Sequence, residues 1–376
     1  MDFRLTDEQL QVEEMVRGLS RKEFAPRAAQ VDEESRYPAE NHRRLAELGL
    51  LGMLYPASYG GAEAGPVSYA IALREVAGGC ASTGVGMAVT NMTGEAIFRF
   101  GNDAQRSRYL PMLSAGKGAG AFALTEPGAG SDAGGLSTFA RKDGDGFILD
   151  GSKVFITNGS HACVMIVMAL TQKSPRRISA FLVEPGTPGL SVGKCERKMG
   201  LKGSDTVSLS FEECRVPGSA MLGAPGEGLK IALSTLDGGR IGIASQAIGI
   251  ARSALSTATE YARDRRQFGQ AIGEFQAIQW MLADAATELD AAQLLVFRAA
   301  SLKEKGLPYS KEASMAKLFA TEAGNRASLS AVQVLGGYGY IREYPVERHL
   351  RDIRVTTIYE GTSEIQRLVI SRALCG

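Results

Sequence analysis

The run Gly146-Phe147-Ile148-Leu149-Asp150-Gly151 clusters apolar residues between two glycines, and Thr206-Val207-Ser208-Leu209-Ser210-Phe211 alternates polar with apolar residues. Both patterns are typical of short β-strands. We predict a middle β-domain over 121–225. On either side the pattern is helical, which predicts an N-terminal α-helical domain over 1–120 and a C-terminal four-helix-bundle domain over 226–376. The expected class is α+β, because the order is unlike the alternating strands and helices of a doubly wound fold.

The helical regions carry their own start and stop signals. Thr6, followed three residues later by Gln9, is typical of a capping box at the start of the first helix. Further helices are predicted at 38–50, 66–80, 84–100, 103–115, 227–264, 272–304, 310–335, 345–353 and 362–374.

The composition excludes several classes of protein. Lys plus Arg (42) nearly balance Asp plus Glu (41), so no field would attract nucleic acid or an anionic membrane. The five cysteines form no C-x-x-C pair, so we expect neither a disulfide framework nor a metal site. No apolar run approaches the roughly 20 residues of a membrane span, and the sequence shows no signal peptide at its start. We therefore expect a cytoplasmic protein without membrane insertion.

Four segments carry chemistry and occur in a fixed order along the chain. They are Leu124-Thr125-Glu126-Pro127-Gly128-Ala129-Gly130-Ser131-Asp132, Val154-Phe155-Ile156-Thr157-Asn158-Gly159, Gln333-Val334-Leu335-Gly336-Gly337-Tyr338-Gly339 and Ile358-Tyr359-Glu360-Gly361-Thr362-Ser363-Glu364-Ile365-Gln366-Arg367. Together they resemble the acyl-CoA dehydrogenase family over essentially the whole chain. The runs 80–85 and 236–246 make the resemblance closest to the short-chain, butyryl-CoA members.

The resemblance implies noncovalent FAD. The cofactor-binding residues it implies are Leu124, Thr125, Gly130, Ser131, Phe155, Ile156, Thr157, Arg265, Phe268, Gln276, Gln333, Val334, Leu335, Gly336, Gly337, Thr362 and Glu364. In family members Thr157 would hydrogen-bond the flavin N5 atom, and Trp often stands in place of Phe155. Taken alone, the segment at 124–132 could equally be a cluster of β-turns.

Arg265 and Phe268 resemble a segment that reaches the FAD of a neighbouring subunit. The resemblance therefore implies a homo-oligomer, usually a tetramer. The alternative for Arg265 is a solvated charge that complements the dipole at a helix end.

Glu360 is the candidate base, because the stretch before it is apolar and burial raises the pKa of a carboxyl toward the working pH. Its backbone N–H could stabilise charge that develops on a thioester oxygen, and Gly361 would let that thioester come close. In the family the matching glutamate removes the α-proton while the β-hydrogen leaves as hydride to the flavin. Some members carry the base where this chain has Gly238 and Gly239.

The resemblance also implies a set of substrate contacts. These are Ser131, Asp237, Gly238, Gly239, Arg240, Gln246, Thr356, Tyr359 and Gly361. Asp237 and Arg240 could instead form an ion pair at a helix bend. Gln246 and Thr356 would form a polar floor that favours short acyl chains. Glu95 is unusual for the family and either reshapes the acyl cavity or lies at a solvent-exposed rim.

The expected activity is α,β-dehydrogenation of a short-chain acyl-CoA to the trans-2-enoyl-CoA. The resemblance implies that the electrons pass to an electron-transfer flavoprotein. The alternatives are a dehydrogenase of branched or cyclic acyl-CoA, an acyl-CoA oxidase, and a non-catalytic assembly or binding member of the same fold. Loss of the base or of the flavin segments would favour the last of these, and the sequence keeps both.

Overall fold

The computed structural model describes residues 4–376, and its N-terminal region is helical. The helices are α1 (Asp7–Leu19), α2 (Ala25–Glu33), α3 (Ala39–Glu47), α4 (Gly65–Gly79), α5 (Ala81–Phe100) and α6 (Asp103–Ser114), with a π-helical segment at Ser20–Phe24. The capping box is confirmed: the Gln9 N–H donates to Thr6 Oγ1 over 3.3 Å, and the Thr6 N–H donates to Gln9 Oε1 over 3.1 Å. This satisfies two N–H groups that the first turn would leave free.

The middle region is a mixed β-sheet. Its strands are β1 (Ala119–Ala123), β2 (Phe139–Asp143), β3 (Gly146–Thr157), β4 (Ala162–Lys173), β5 (Arg176–Val183), β6 (Leu190–Val192), β7 (Thr206–Val216) and β8 (Met221–Leu222). The order is β6-β7-β3-β2-β4-β5-β8, and β1 pairs in parallel with β4. The two runs that predicted the sheet lie in β3 and β7, which pair antiparallel with Leu149 opposite Cys214.

The C-terminal region is again helical. Its elements are α7 (Gly228–Asp264), a short hairpin of β9 (Arg266–Gln267) and β10 (Gln270–Ala271), then α8 (Gln276–Glu304), α9 (Ser310–Leu335), α10 (Val346–Ile353) and α11 (Ser363–Cys375). Small residues let these helices approach closely. A Cβ on Gly249 of α7 would lie 2.1 Å from the backbone oxygen of Arg74 in α4, so only glycine fits this crossing.

The three regions share one apolar boundary. Val89 and Met92 of α5 pack with Phe122 of β1 and with Tyr359, which precedes the candidate base. The predicted α+β fold, with a helical, a β and a second helical part, is confirmed. The exact domain boundaries stay a prediction. Within residues 4–376, helices of a length and apolar character that would cross a bilayer are absent.

Candidate active site

Glu360 lies on a tight turn between the end of the 3₁₀ segment Arg354–Thr357 and the start of α11. The turn places Glu360 at φ +54° and Gly361 at φ +89°. A left-handed backbone is unfavourable for a glutamate, so the surrounding side chains have to hold it. Gln366 does so by donating from Nε2 to the backbone oxygens of Glu360 (3.1 Å) and Gly361 (2.8 Å). Lys317 of α9 donates from Nζ to the Gly361 oxygen over 2.8 Å.

The carboxylate of Glu360 faces α7 where the sequence has glycine. A Cβ on Gly239 would lie 2.4 Å from Glu360 Oε2 and 3.0 Å from Met92 Sδ, so any side chain there would occupy the space of the carboxyl. Oε2 is buried without a hydrogen-bond partner among residues 4–376. Burial raises the pKa of Glu360 to about 7, against the opposing attraction of Arg240 and Lys317. A carboxyl with this pKa can accept a proton from a weakly acidic carbon near neutral pH.

The backbone of the same residue offers a hydrogen-bond donor. Within the described part of the chain, the N–H of Glu360 donates to no acceptor. A free donor next to a free carboxylate can bind an oxygen on which negative charge develops.

Gln246 and Thr356 are fully buried, and protein groups satisfy their polar atoms. The Tyr359 hydroxyl donates to Gln246 Oε1 over 2.5 Å, and Gln246 Nε2 donates to the Ala81 oxygen over 3.3 Å. Thr356 Oγ1 donates to the Ile353 oxygen over 2.7 Å. The structure thus links Gln246 and Tyr359 directly beside the Glu360 turn.

Asp237 and Arg240 form an ion pair, with Arg240 Nη1 donating to Asp237 Oδ1 over 2.6 Å. Arg240 Nη1 also donates to Ser314 Oγ over 3.1 Å, and Ser310 Oγ donates to Asp237 Oδ1 over 2.9 Å. Arg240 Nε stays buried without a partner among residues 4–376. The ion-pair alternative from the sequence is therefore present in the structure, and a substrate role for the pair stays a prediction.

Glu95 is not a solvent-exposed rim residue. Its side chain is 14% exposed, and its Oε2 lies 2.6 Å from Lys303 Nζ, which is 10% exposed. The pair adjoins Gly238, where an added Cβ would lie 2.9 Å from the Lys303 nitrogen and 3.3 Å from Glu95 Oε2. The rim alternative was wrong because Lys303 of α8 pairs with Glu95, a contact that no local sequence pattern predicted.

The segment after β1 is held by a buried ion pair that the sequence did not reveal. Lys153 Nζ lies 2.8 Å from Glu126 Oε1 and donates to the Leu124 oxygen over 3.1 Å. The Glu126 carboxylate also accepts from the N–H groups of Ser137 (2.6 Å) and Thr138 (3.0 Å). Although burial alone would raise it, the hydrogen bonds from Lys153 and Thr138 lower the pKa of Glu126.

This ion pair fixes the backbone of the predicted cofactor segment. The Val154 N–H donates to the Thr125 oxygen over 3.0 Å, which ties the segment to β3. Gly130 and Ser131 are exposed, and a Cβ on Gly128 or Gly130 would meet nothing within 4 Å. The segment therefore presents open backbone to its surroundings, as approach of a flat ring or a phosphate requires.

The end of β3 bulges at the predicted flavin contacts. The pairing of β3 with β7 shifts register between Lys153 and Ile156, and Phe155 there has φ +60°. Such a bulge re-aims side chains, and Phe155 is 66% exposed while Ile156 is buried. Asn158 anchors the strand end by donating to the oxygens of Gly86 (3.1 Å) and Gly120 (3.0 Å). An exposed aromatic ring beside Thr157 leaves a surface against which a ring system can stack.

Five of the predicted cofactor-binding residues meet around one cavity of about 470 Å³. Its lining includes Arg265, Val334, Leu335, Gly336 and Gly337. The guanidinium of Arg265 lies 5.7 Å from the ring centre of Tyr338.

Other predicted cofactor residues stand apart from that cavity. Phe268, on the tip of the β9–β10 hairpin, is 95% exposed, and neither Gln276 nor Gln333 belongs to the lining. Thr362 caps α11 by accepting from the Ile365 N–H over 3.4 Å, and Glu364 is exposed in the first turn of that helix. Their contact with a cofactor stays a prediction.

Comparison with known proteins identifies the chain over its full length. Family models described as the acyl-CoA dehydrogenase N-terminal, middle and C-terminal domains match residues 6–117, 121–214 and 226–375. "Short-chain specific acyl-CoA dehydrogenase, mitochondrial" of Homo sapiens is 51% identical over 94% of this chain and 87% of its own.

Two solved structures superpose closely on the chain. Butyryl-CoA dehydrogenase from Megasphaera elsdenii is 43% identical, has a TM-score of 0.98, and each chain covers 100% of the other. A chain in the structure described as "Electron transferring flavoprotein of Acidaminococcus fermentans: Towards a mechanism of flavin-based electron bifurcation" is 44% identical, with a TM-score of 0.98 and the same full coverage.

Proposed function

Since this chain belongs to the acyl-CoA dehydrogenase family, we propose that it oxidises a short-chain acyl-CoA to the trans-2-enoyl-CoA with FAD. Electrons then pass to an electron-transfer flavoprotein. The observation that carries the proposal is the carboxylate of Glu360, whose Oε2 is buried without a partner among residues 4–376. The names of the human relative and of the Megasphaera elsdenii structure support a short acyl chain, and the Acidaminococcus fermentans structure supports the acceptor.

In this proposal Glu360 takes the α-proton of the thioester. The cations of Arg240 and Lys317 favour its carboxylate form over the acid, so that it can act as a base near neutral pH. The free N–H of Glu360 donates to the thioester oxygen as negative charge develops there. FAD, when bound, supplies the two-electron acceptor for the β-hydrogen, which leaves as hydride.

The residues of this chain fit FAD. Beside the predicted flavin contacts Thr125 and Thr157, Phe155 is 66% exposed and offers a stacking surface. At the other end, Arg265 lines the cavity that Gly336 and Gly337 leave open, since a Cβ on either glycine would meet nothing within 4 Å. An arginine fork there suits a pyrophosphate.

We further propose a homo-oligomer and a cytoplasmic location. The exposed Phe268, on a hairpin adjacent to Arg265, supports the first by offering an apolar contact to another subunit. The cysteines are all free, which supports a reducing compartment. Gel filtration with measurement of bound flavin tests the oligomer: Arg265→Ala is expected to lower assembly and flavin content together. A stable oligomer with full flavin content would refute the proposal that Arg265 reaches the FAD of a neighbouring subunit.

The substrate class is tested by comparing butyryl-, isobutyryl-, cyclohexanecarbonyl-, glutaryl- and octanoyl-CoA with an artificial electron acceptor. Each methylene buried in an apolar tunnel would add roughly 0.8 kcal/mol of binding. In this proposal the hydrogen-bonded Gln246 and Tyr359, together with the buried Thr356, form the floor that stops a longer chain. We expect butyryl-CoA to exceed octanoyl-CoA in kcat/KM.

The matched variants are Gln246→Ala with Thr356→Ala, and Ser245→Ala as control. Among residues 4–376, Ser245 Oγ bonds only within α7, to the Ile241 oxygen over 2.9 Å. The double variant is expected to shift the preference toward longer chains, and the control is expected to keep it. A parent enzyme that prefers octanoyl-CoA would contradict the short-chain proposal.

A further inference from the structure

A second cavity, of about 280 Å³, lies where α1, α4, α7 and the π-helical segment meet, and we name it the arginine cavity. Its lining is Arg17, Ser20, Arg21, Ala25, Arg74, Glu75, Gly78, Gly79, Gly249, Arg252, Ser253 and Ser256. Arg252 is twelve residues beyond Arg240 on α7, a separation of about 18 Å along the helix axis. The cavity is therefore distinct from the Glu360 site, and its lining contains none of the predicted cofactor-binding residues.

Glycines and the π-helical turn shape this cavity. A Cβ on Gly79 would lie 2.9 Å from Ser20 Cβ, and a Cβ on Gly78 would lie 3.2 Å from the Gly249 oxygen. The helices therefore touch through their backbones below the cavity. The segment Ser20–Phe24 is wound as a π-helix, a form that is frequent at functional sites.

Two of the four arginines are already paired. Arg17 Nε lies 3.1 Å from Glu75 Oε2, and Arg74 lies 2.7 Å from Glu75 Oε1. Arg74 also contacts Glu13 over 2.5 Å and donates to Gln293 Oε1 over 2.7 Å. These carboxylates are saturated by Arg17 and Arg74, so they have little capacity left for a third guanidinium.

The other two arginines have no acceptor. Within residues 4–376, the side chain of neither Arg21 nor Arg252 makes a hydrogen bond or an ion pair. Burial lowers the pKa of Arg252, and repulsion by Arg74 lowers it further, although Glu75, Asp290 and Glu13 attract it from beyond ion-pair distance. The Arg252 side chain is partly buried and unpaired, so its guanidinium has donors to offer a ligand in the cavity.

Ser20 supplies a second, independent sign of a ligand. It is 3% exposed, lines the arginine cavity, and its Oγ is buried with no hydrogen-bond partner among residues 4–376. An unsatisfied buried hydroxyl costs free energy that a bound acceptor would recover. The cavity thus has three side chains with unused donors, Ser20, Arg21 and Arg252, and an excess of positive charge.

We propose that the arginine cavity binds a phosphate group carried by a small molecule. A guanidinium fork matches two phosphate oxygens, and a hydroxyl donor can take a third. The volume of about 280 Å³ is far above the roughly 30 Å³ of one water in the liquid. A single phosphate therefore leaves room for a substituent, with the hydroxyls of Ser253 and Ser256 at the wall.

The test uses the FAD-loaded enzyme and isothermal titration at constant ionic strength, with inorganic phosphate and adenosine 5′-monophosphate as probes. Arg252→Gln is expected to weaken the binding of whichever probe the parent enzyme binds by at least about tenfold, because a charge-assisted contact is lost. Arg252→Lys is expected to give an intermediate affinity, since it keeps the charge and loses the fork. Ser20→Ala tests the hydroxyl. Arg372→Gln, which removes an exposed charge of α11, is the control and is expected to bind as the parent does.

Both sources of phosphate are distinguished by the two probes. Tighter binding of the nucleotide supports a ligand with a substituent, whereas equal binding would show that the site takes phosphate alone and would contradict a carried phosphate. When both enzymes are assayed without phosphate, Arg252→Gln is expected to have the same turnover and flavin content as the parent. This result separates the arginine cavity from catalysis. The proposal is overturned if neither probe binds, or if Arg252→Gln binds as tightly as the parent.

Discussion

Gly239→Ala is expected to lower kcat by about a hundredfold, because the new methyl group would enter the space of the Glu360 carboxyl. The added carbon would lie 2.4 Å from Oε2, whereas ordinary contact begins at 3.4 Å, so the carboxylate has to move about 1.0 Å. A misplacement of about 1 Å at a reacting group costs on the order of 10²-fold in rate. Stability is expected to fall by at most about 2.5 kcal/mol, since alanine gains about 0.5–1 kcal/mol of helix propensity against about 1–3 kcal/mol of overpacking.

The adjacent glycine gives a matched control. In Gly238→Ala the new carbon meets the far end of Lys303, a flexible side chain, 2.9 Å away. Both variants gain the same helix propensity, so a difference between them reports the position of the base. Stopped-flow reduction of the flavin by butyryl-CoA measures the step directly. A Gly239→Ala enzyme within threefold of the parent, or an equal loss in both variants, would show that Glu360 is not held against α7.

Two further predictions concern the charged groups of the site. Because the pKa of Glu360 is raised to about 7, kcat/KM is expected to fall about tenfold per pH unit below that value, as the base becomes protonated; a profile flat down to pH 5 would contradict this. The same raised pKa makes the folded state hold this proton more tightly than the unfolded chain, so its contribution to stability falls as pH rises from 4.5 to 7. Glu126→Gln leaves Lys153 buried and unpaired, so urea unfolding is expected to show a loss of about 3–5 kcal/mol together with weaker FAD retention. The control Glu213→Gln breaks an exposed pair with Arg141 and is expected to cost less than about 1 kcal/mol; equal losses in the two variants would refute a special role for the buried pair.

Local patterns predicted the elements of this fold well. The capping box at Thr6 and Gln9 forms as expected, and the predicted helix at 310–335 agrees with α9 (Ser310–Leu335). The parallel pairing of β1 with β4 was not predicted. Strand partners that are distant in sequence depend on chain topology, which periodicity alone does not encode.

In the candidate site, too, some residues were predicted from local sequence patterns and others were not. Glu360 was predicted from an apolar context and a motif, and its environment agrees with that role. Lys317 was missed because it acts on Gly361 across 44 residues of sequence. A signal was available: Ala313, Ala316 and Ala320 are the buried stripe of α9, and Lys317 falls on that stripe. A lysine on a buried helix face needs a partner, although the sequence could not say which one.

The ion pair of Glu126 and Lys153 was missed because it, too, joins residues that are distant in sequence. Glutamate and lysine are common surface residues. The strand pattern gives Lys153 an equal chance of facing the core or the solvent, and Glu126 lies in a turn, where the sequence does not predict burial. Only the bulge of β3 and the turn after β1 bring their charges to 2.8 Å. Contacts of this kind depend on the folded backbone, so the sequence predicts the cofactor segment and not what supports it.

The most direct test of Glu360 as the catalytic base is the reduction of bound FAD by butyryl-CoA in Glu360→Gln, followed anaerobically by flavin absorbance. The amide keeps the shape of the side chain and cannot accept the α-proton. If Glu360 is the base, this variant is expected to keep full FAD content and normal binding of the thioester, with flavin reduction slowed by about 10²- to 10⁴-fold. Reduction within a few-fold of the parent rate would contradict it and would place the base elsewhere.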